Sequence, residues 1–146
     1  MSCSNTVNFI IKDSNAEIPT KAHKTDIGYD LTAISVYKKI SDKVTLFETG
    51  IVVRPPMGYY LEIIPRSSIS KTGYILANSI GIIDPDYTGT LKIPLCKIDE
   101  KMPDIKLPFK RCQLVLRKAE IYDMEETEKI DVTERCDKGF GSSDKN

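Results

Sequence analysis

Asn78-Ser-Ile-Gly-Ile-Ile-Asp84-Pro-Asp-Tyr87-Thr-Gly89-Thr-Leu91 is the stretch on which the fold class turns. Two short apolar runs rich in β-branched residues flank Asp-Pro-Asp-Tyr-Thr-Gly. That is the composition of a strand, a medium-length turn and a second strand. Apolar residues at the helical steps of three and four are nearly absent. The segment reads as a β-hairpin, whose mouth would display backbone N–H and C=O groups able to read the edge of a planar base. Tyr87 sits on the turn, placed to pack against a ligand. An ordinary hairpin with turn-forming Asp and Gly accounts for the same residues.

Outward from this stretch the same grammar repeats. Val7 to Lys12, Tyr29 to Ile34, Val44 to Phe47 and Thr49 to Arg54 read as strands. Gly58 to Ile64 follows a Pro55-Pro56 break, and Tyr74 to Leu76, Ser79 to Ile83, Thr90 to Leu95 and Gln113 to Ile121 come after it. One short helix is expected near Ser68 to Thr72. Many short strands with frequent Gly, Pro, Asp and Asn signals predict an all-β sandwich or barrel of jelly-roll type. Residues 1–122 make one such domain. Residues 123–146 differ, with twelve charges and a terminal Lys138-Gly-Phe-Gly-Ser-Ser-Asp-Lys-Asn. Such a tail cannot order itself by burial; it is a solvated terminus or an arm that orders on something else.

Composition narrows the chemistry. Lysine plus arginine and aspartate plus glutamate each number 21, so no global field holds a polyanion, and nucleic acid is not an expected partner. No apolar run approaches the roughly 20 residues that span a bilayer, and the start lacks a signal-peptide pattern. A cytoplasmic or nuclear, unsecreted and membrane-free protein is expected. Cysteines at 3, 96, 112 and 136 form no C-x-x-C pair and read as free thiols, with Cys96 and Cys112 in core strands. His23, the only histidine, reads as a loop residue. A His-based triad or a site with two His metal ligands is excluded.

Three further constellations carry candidate chemistry. Pro65-Arg-Ser-Ser-Ile-Ser70 directly follows a strand. Arg66 offers a forked cation and Ser67, Ser68 and Ser70 offer hydroxyls, a set that suits phosphate oxygens, although serine is also a favoured helix cap. In Gly28-Tyr-Asp30-Leu, a carboxylate in a strand-like run needs water, a cation or magnesium-bound water as partner; an ion pair would serve equally. In Arg135-Cys-Asp-Lys-Gly-Phe140-Gly-Ser-Ser143, glycines beside a phenylalanine allow close backbone approach and leave the ring free to stack. G-x-x-x-x-G-K-[ST] and G-x-G-x-x-G are both absent.

In order and spacing these segments resemble the trimeric dUTP diphosphatase (dUTPase) family, which carries five short motifs. Gly28-Tyr-Asp-Leu31 matches the first and Pro65-Arg-Ser-Ser68 the second. Gly81-Ile-Ile-Asp84-Pro-Asp-Tyr87-Thr-Gly89 matches the third and is the most specific. Lys110-Arg-Cys-Gln113-Leu matches the fourth, and Arg135 through Ser143 the fifth. The resemblance implies a jelly-roll β-barrel protomer, a homotrimer with C-terminal arm exchange, and hydrolysis of dUTP to dUMP and pyrophosphate. That reaction limits uracil incorporation into DNA and supplies dUMP for dTMP synthesis. Each shared site would take its first, second and fourth motifs from one subunit, the third from a neighbour and the fifth from the remaining subunit's tail.

The roles the resemblance implies fall on individual residues. Asp84 would activate water for attack on the α-phosphorus. Asp30 would hold water bound to Mg2+, itself chelated by the triphosphate. Arg66, Ser67, Ser68, Gln113 and Arg135, with Gly141, Ser142 and Ser143, would bind phosphates and stabilise developing charge. Backbone groups from Asn78 through Gly81 and Ile83 to Tyr87, with the Asn78 side chain, would read the uracil edge and reject cytosine by roughly 10⁴-fold. Tyr87 would pack on the sugar and exclude a 2′-hydroxyl, and Phe140 would stack over the base.

The chain also departs from the family pattern. The fourth motif usually reads Gly-Asp-Arg-Ile-Ala-Gln, where this chain has Pro108-Phe-Lys-Arg-Cys-Gln113. Cys136 and Lys138 stand where glycine is frequent, and so does Ser68. A dCTP deaminase would share the fold but needs a glutamate after the hairpin, where Thr90-Leu-Lys92-Ile has lysine. A non-catalytic nucleotide-binding protein of the same fold is the other alternative, against which the retained Asp84 and Asp30 argue.

Overall fold

A computed structural model describes residues 5–144; Cys3 and residues 145–146 lie outside them. The strands are β1 (Asn8–Ile11), β2 (Tyr29–Ala33), β3 (Ser35–Lys39), β4 (Val44–Glu48), β5 (Ile51–Arg54), β6 (Tyr59–Pro65), β7 (Tyr74–Leu76), β8 (Gly81–Ile83), β9 (Lys92–Lys97) and β10 (Phe109–Lys118). A 3₁₀ helix, Ser67–Lys71, follows β6 where a short helix was expected. Two four-stranded sheets, β2-β10-β6-β8 and β3-β4-β9-β7, are joined by a two-stranded ribbon, β1-β5.

Alternation in the strands explains how the sheets share one core. In β9, Ile93 and Leu95 are fully buried while the alternating Lys92 and Pro94 are half-buried. They meet Leu31 and Ala33 of β2, Phe47 of β4, and Leu61 and Ile63 of β6 in one continuous cluster. Truncating a fully buried Leu or Ile to alanine costs about 2–5 kcal/mol, so this cluster dominates stability. The all-β expectation holds. The expected barrel closure is not present among the described residues, where the ladders leave two open sheets.

Two strand assignments need correction. The expected hairpin across Asp84–Gly89 does not form: β8 pairs with β6, whereas β9 pairs with β4 and β7. The connection instead carries the chain from one sheet to the other. Leu91 fixes the crossing, fully buried with its N–H donating to Ile51 O at 2.7 Å and its carbonyl accepting Thr49 Oγ1 at 2.7 Å. Strand β3 was also unforeseen. The chain bends after Ala33 and switches sheets, and β3 runs along an edge with a bulge between Val36 and Lys38. Lysines on such an edge discourage pairing with another chain.

Cys96, Cys112 and Cys136 are free thiols. Cys112 is fully buried, and burial pushes its thiol up to about 12. The thiolate is the reactive form, so a thiol reagent near neutral pH should label exposed Cys136 and leave Cys112 untouched until the chain unfolds. Mass mapping of the labelled sites checks this, and rapid Cys112 labelling in the folded protein would contradict it. His23 is an exposed loop residue, as expected. Beyond β10 no strand follows among the described residues, and from Glu120 to Asp144 every residue but Gly139 is exposed. No helix among the described residues is long and apolar enough to cross a membrane.

Candidate active site

Strand β10 lies between β2 and β6, so Gln113 stands opposite Asp30 on one side and Ile64 on the other. Directly paired residues share a face, which places the carboxylate and the amide together. Where β6 ends, Arg66 leads into the 3₁₀ helix and returns its own backbone N–H to Arg111 O at 2.8 Å. Its side chain is held twice: Nε lies 3.1 Å from Asp30 Oδ1, and an Nη1–H donates to Lys110 O at 2.9 Å. Gln113 Nε2 donates to Pro65 O at 3.2 Å. These side chains, with Asp26, Ile27 and Gly28, line a cavity of about 230 Å³.

Gly28 leaves room there for the Gln113 side chain as it is placed. A Cβ on it would fall on the Gln113 amide oxygen. A larger cavity, about 650 Å³, opens on Lys110, Arg111 and Tyr74 and shares only Arg66 with the predicted site residues. We assign the site to the smaller cavity because it gathers polar groups from three segments far apart in sequence.

The remaining predicted residues are placed less uniformly. Ser67 is exposed at the start of the 3₁₀ helix. Ser68 follows it, half-buried, with its hydroxyl buried and without a hydrogen-bond partner among the described residues. Asp84 is exposed on the inter-sheet connection, in a turn closed by Tyr87 N–H donating to Asp84 O at 3.1 Å. Arg54 braces this turn through Pro85 O at 3.2 Å. Tyr87 folds over Gly89, where a Cβ would come within 2.5 Å of the phenol oxygen, and its hydroxyl donates to Thr90 O at 3.0 Å. Gly81 is buried against Ile63, with Asn78 exposed beside it and Ile83 half-buried.

In the tail, Arg135 Nε donates locally to Lys138 O at 2.9 Å. Phe140 is fully exposed with φ +51°, and Gly141 follows at φ +82° in a turn closed by Ser142 N–H to Gly139 O at 3.1 Å. Ser143 is exposed. Neither Asp84 nor any tail residue lines the Asp30–Arg66–Gln113 cavity within one chain. Sequence reading missed the carbonyls of Lys110 and Arg111, which hold Arg66, because main-chain acceptors leave no trace in residue type.

A family model described as dUTPase matches residues 14–144. The chain belongs to the dUTPase family. It is 38% identical over 136 residues to the deoxyuridine 5'-triphosphate nucleotidohydrolase of Finegoldia magna, covering 90% of this chain and 94% of the relative. The rat protein of the same name is 30% identical over 141 residues, with 97% of this chain and 68% of the relative covered. Among solved structures, the Staphylococcus bacteriophage 80alpha dUTPase with dUPNHPP superimposes with a TM-score of 0.75 at 27% identity, covering 96% of this chain and 99% of that one. For this dUTPase-family chain, the cavity between β2, β10 and the 3₁₀ helix contains the first, second and fourth motif segments together.

Proposed function

We propose that this chain hydrolyses dUTP to dUMP and pyrophosphate with magnesium, as a homotrimer whose arms exchange. The observation that carries the reading is the meeting of Asp30, Arg66 and Gln113 on one cavity in a chain of the dUTPase family. Asp84 and the tail stand apart from that cavity in one chain, which supports completion of each site by neighbouring subunits.

In this reading Arg66, Ser67 and Gln113 hold the phosphate chain. A neighbour's Asp84 carboxylate takes a proton from water as the water oxygen attacks the α-phosphorus. The bond from that phosphorus to the bridging oxygen breaks, and pyrophosphate leaves. Arg66, with Arg135, Ser142 and Ser143 from an arm, meets the charge that develops. Phe140 covers the base. Base recognition falls to β8, whose outer edge is unpaired among the described residues and so leaves main-chain donors and acceptors free.

The residues present fit magnesium held mainly by the nucleotide. Oδ1 of Asp30 is engaged by Arg66, leaving one carboxylate oxygen for a metal-bound water. No group of three or more His, Cys, Asp or Glu side chains gathers among the described residues to form an all-protein cage. Magnesium usually keeps several waters and few protein ligands, and it neutralises phosphate charge when bound.

The deciding experiment incubates purified protein with dUTP, the canonical nucleoside triphosphates and magnesium, and measures pyrophosphate. Release from dUTP alone, abolished by a chelator, is expected; no release from dUTP would defeat the proposal. Gly28→Ala should displace the Gln113 amide and raise the KM for dUTP about tenfold, since small misplacements of positioning groups are costly. Wild-type KM in that variant would remove Gln113 from the binding set.

A further inference from the structure

Arg66 is aimed by a bulge, and the bulge has its own anchor. Pairing of β10 with β2 jumps from Phe109 opposite Ala33 to Cys112 opposite Leu31, leaving Lys110 and Arg111 outside the regular ladder. A bulge re-aims the groups it carries. Here the freed Lys110 carbonyl accepts from the Arg66 side chain at 2.9 Å, while the Arg111 carbonyl accepts the Arg66 backbone N–H at 2.8 Å, one step beyond the last β10–β6 pair. The side chain of Lys110 does not point at the nucleotide cavity. Its Nζ lies 3.1 Å from Glu17 Oε2, and that same oxygen accepts the Thr32 hydroxyl at 3.1 Å. Glu17 therefore ties the bulge to β2 from outside every motif. The tie holds the Glu17 carboxyl below its ordinary range, chiefly through its hydrogen bond with Lys110.

We propose that Glu17 is a positioning residue: by holding Lys110, it fixes the carbonyl that orients the Arg66 guanidinium over the nucleotide cavity. The role assigned to Arg66 rests on the proposed function. Guanidinium has five N–H donors in a rigid plane, and two contacts within that plane set where the other donors point. With Asp30 alone the group pivots about Nε; with Lys110 O as well it cannot. Both Glu17 and Lys110 are part-exposed, at 39% and 40%, and exposed ion pairs contribute little to stability. The effect of breaking this one belongs in ligand affinity rather than in folding.

The test uses the full-length protein with Glu17→Gln, Lys110→Met, both together, and each with Arg66→Ala. Calorimetry with dUPNHPP and magnesium should give about tenfold weaker binding for either single change, as expected for a mis-aimed charged group. The double variant should be no worse than the singles, and neither change should matter once Arg66 is alanine. The melting temperature should hardly move. Binding within twofold of wild type in Glu17→Gln, or an undiminished loss in the Arg66→Ala background, overturns the proposal. In the ligand-free protein, the NMR signal of the Arg66 Nε–H should exchange faster with solvent in Glu17→Gln, and an unchanged rate also overturns it. Failure of wild type to bind dUPNHPP would defeat the proposed function, whereas the exchange comparison still decides whether Glu17 orders Arg66.

Discussion

Asp84→Asn keeps dUTP binding near the wild-type level and lowers turnover by at least about 10²-fold, the lower bound for losing a positioned general base. The amide has the carboxylate's shape, so the local turn survives. That turn is closed by main-chain atoms, Tyr87 N–H to Asp84 O, and braced at Pro85 by Arg54; neither contact uses the Asp84 carboxylate. Because the side chain is exposed and lies on a connection rather than in the core, the fold loses nothing. What goes is the capacity to accept a proton from the attacking water. Steady-state pyrophosphate release, with dUPNHPP binding measured alongside, separates the two effects. Undiminished turnover would remove Asp84 as the base.

Truncation after Thr133 has an effect of similar size from the opposite end of the chain. The cut removes Arg135, Phe140, Ser142 and Ser143 together. From Glu120 onward the tail buries almost nothing, so the core and its melting temperature should be unaffected. Turnover should fall by about 10²–10³-fold, the usual cost of losing a preorganised donor to the developing charge. Sedimentation should still report three subunits. A truncated protein with full activity would mean that the tail is a solvated terminus and that the site is complete without it.

Much of the fold was legible because alternating burial writes itself into residue type. Tyr74–Leu76 emerged with the boundaries read from sequence. Partner choice did not emerge. The Asp84–Gly89 stretch has hairpin composition, yet the strands on either side belong to different sheets, a decision made by distant residues such as Ile51, Thr49 and Ile63. β3 escaped notice because it is an edge strand exposed at four of its five residues, so burial imposes no alternation on it. In the site, Asp30, Arg66 and Gln113 were identified by motif order, but their meeting depends on β10 lying between β2 and β6. Glu17 carried no signal at all, being a common surface residue until the fold brings Lys110 to it.

The central position of β10 has a consequence for quality control in the test tube. Cys112 and Gln113 are neighbours that must face opposite ways, the thiol inward and the amide toward the nucleotide. A one-residue slip would exchange them, burying an amide without partners and exposing sulfur. A preparation in which reagent reaches Cys112 in only a fraction of molecules, while the rest stay protected, therefore contains chains with a displaced strand, and those same molecules lack the Gln113 side of the pocket. Thiol titration before any kinetic assay thus counts the competent fraction.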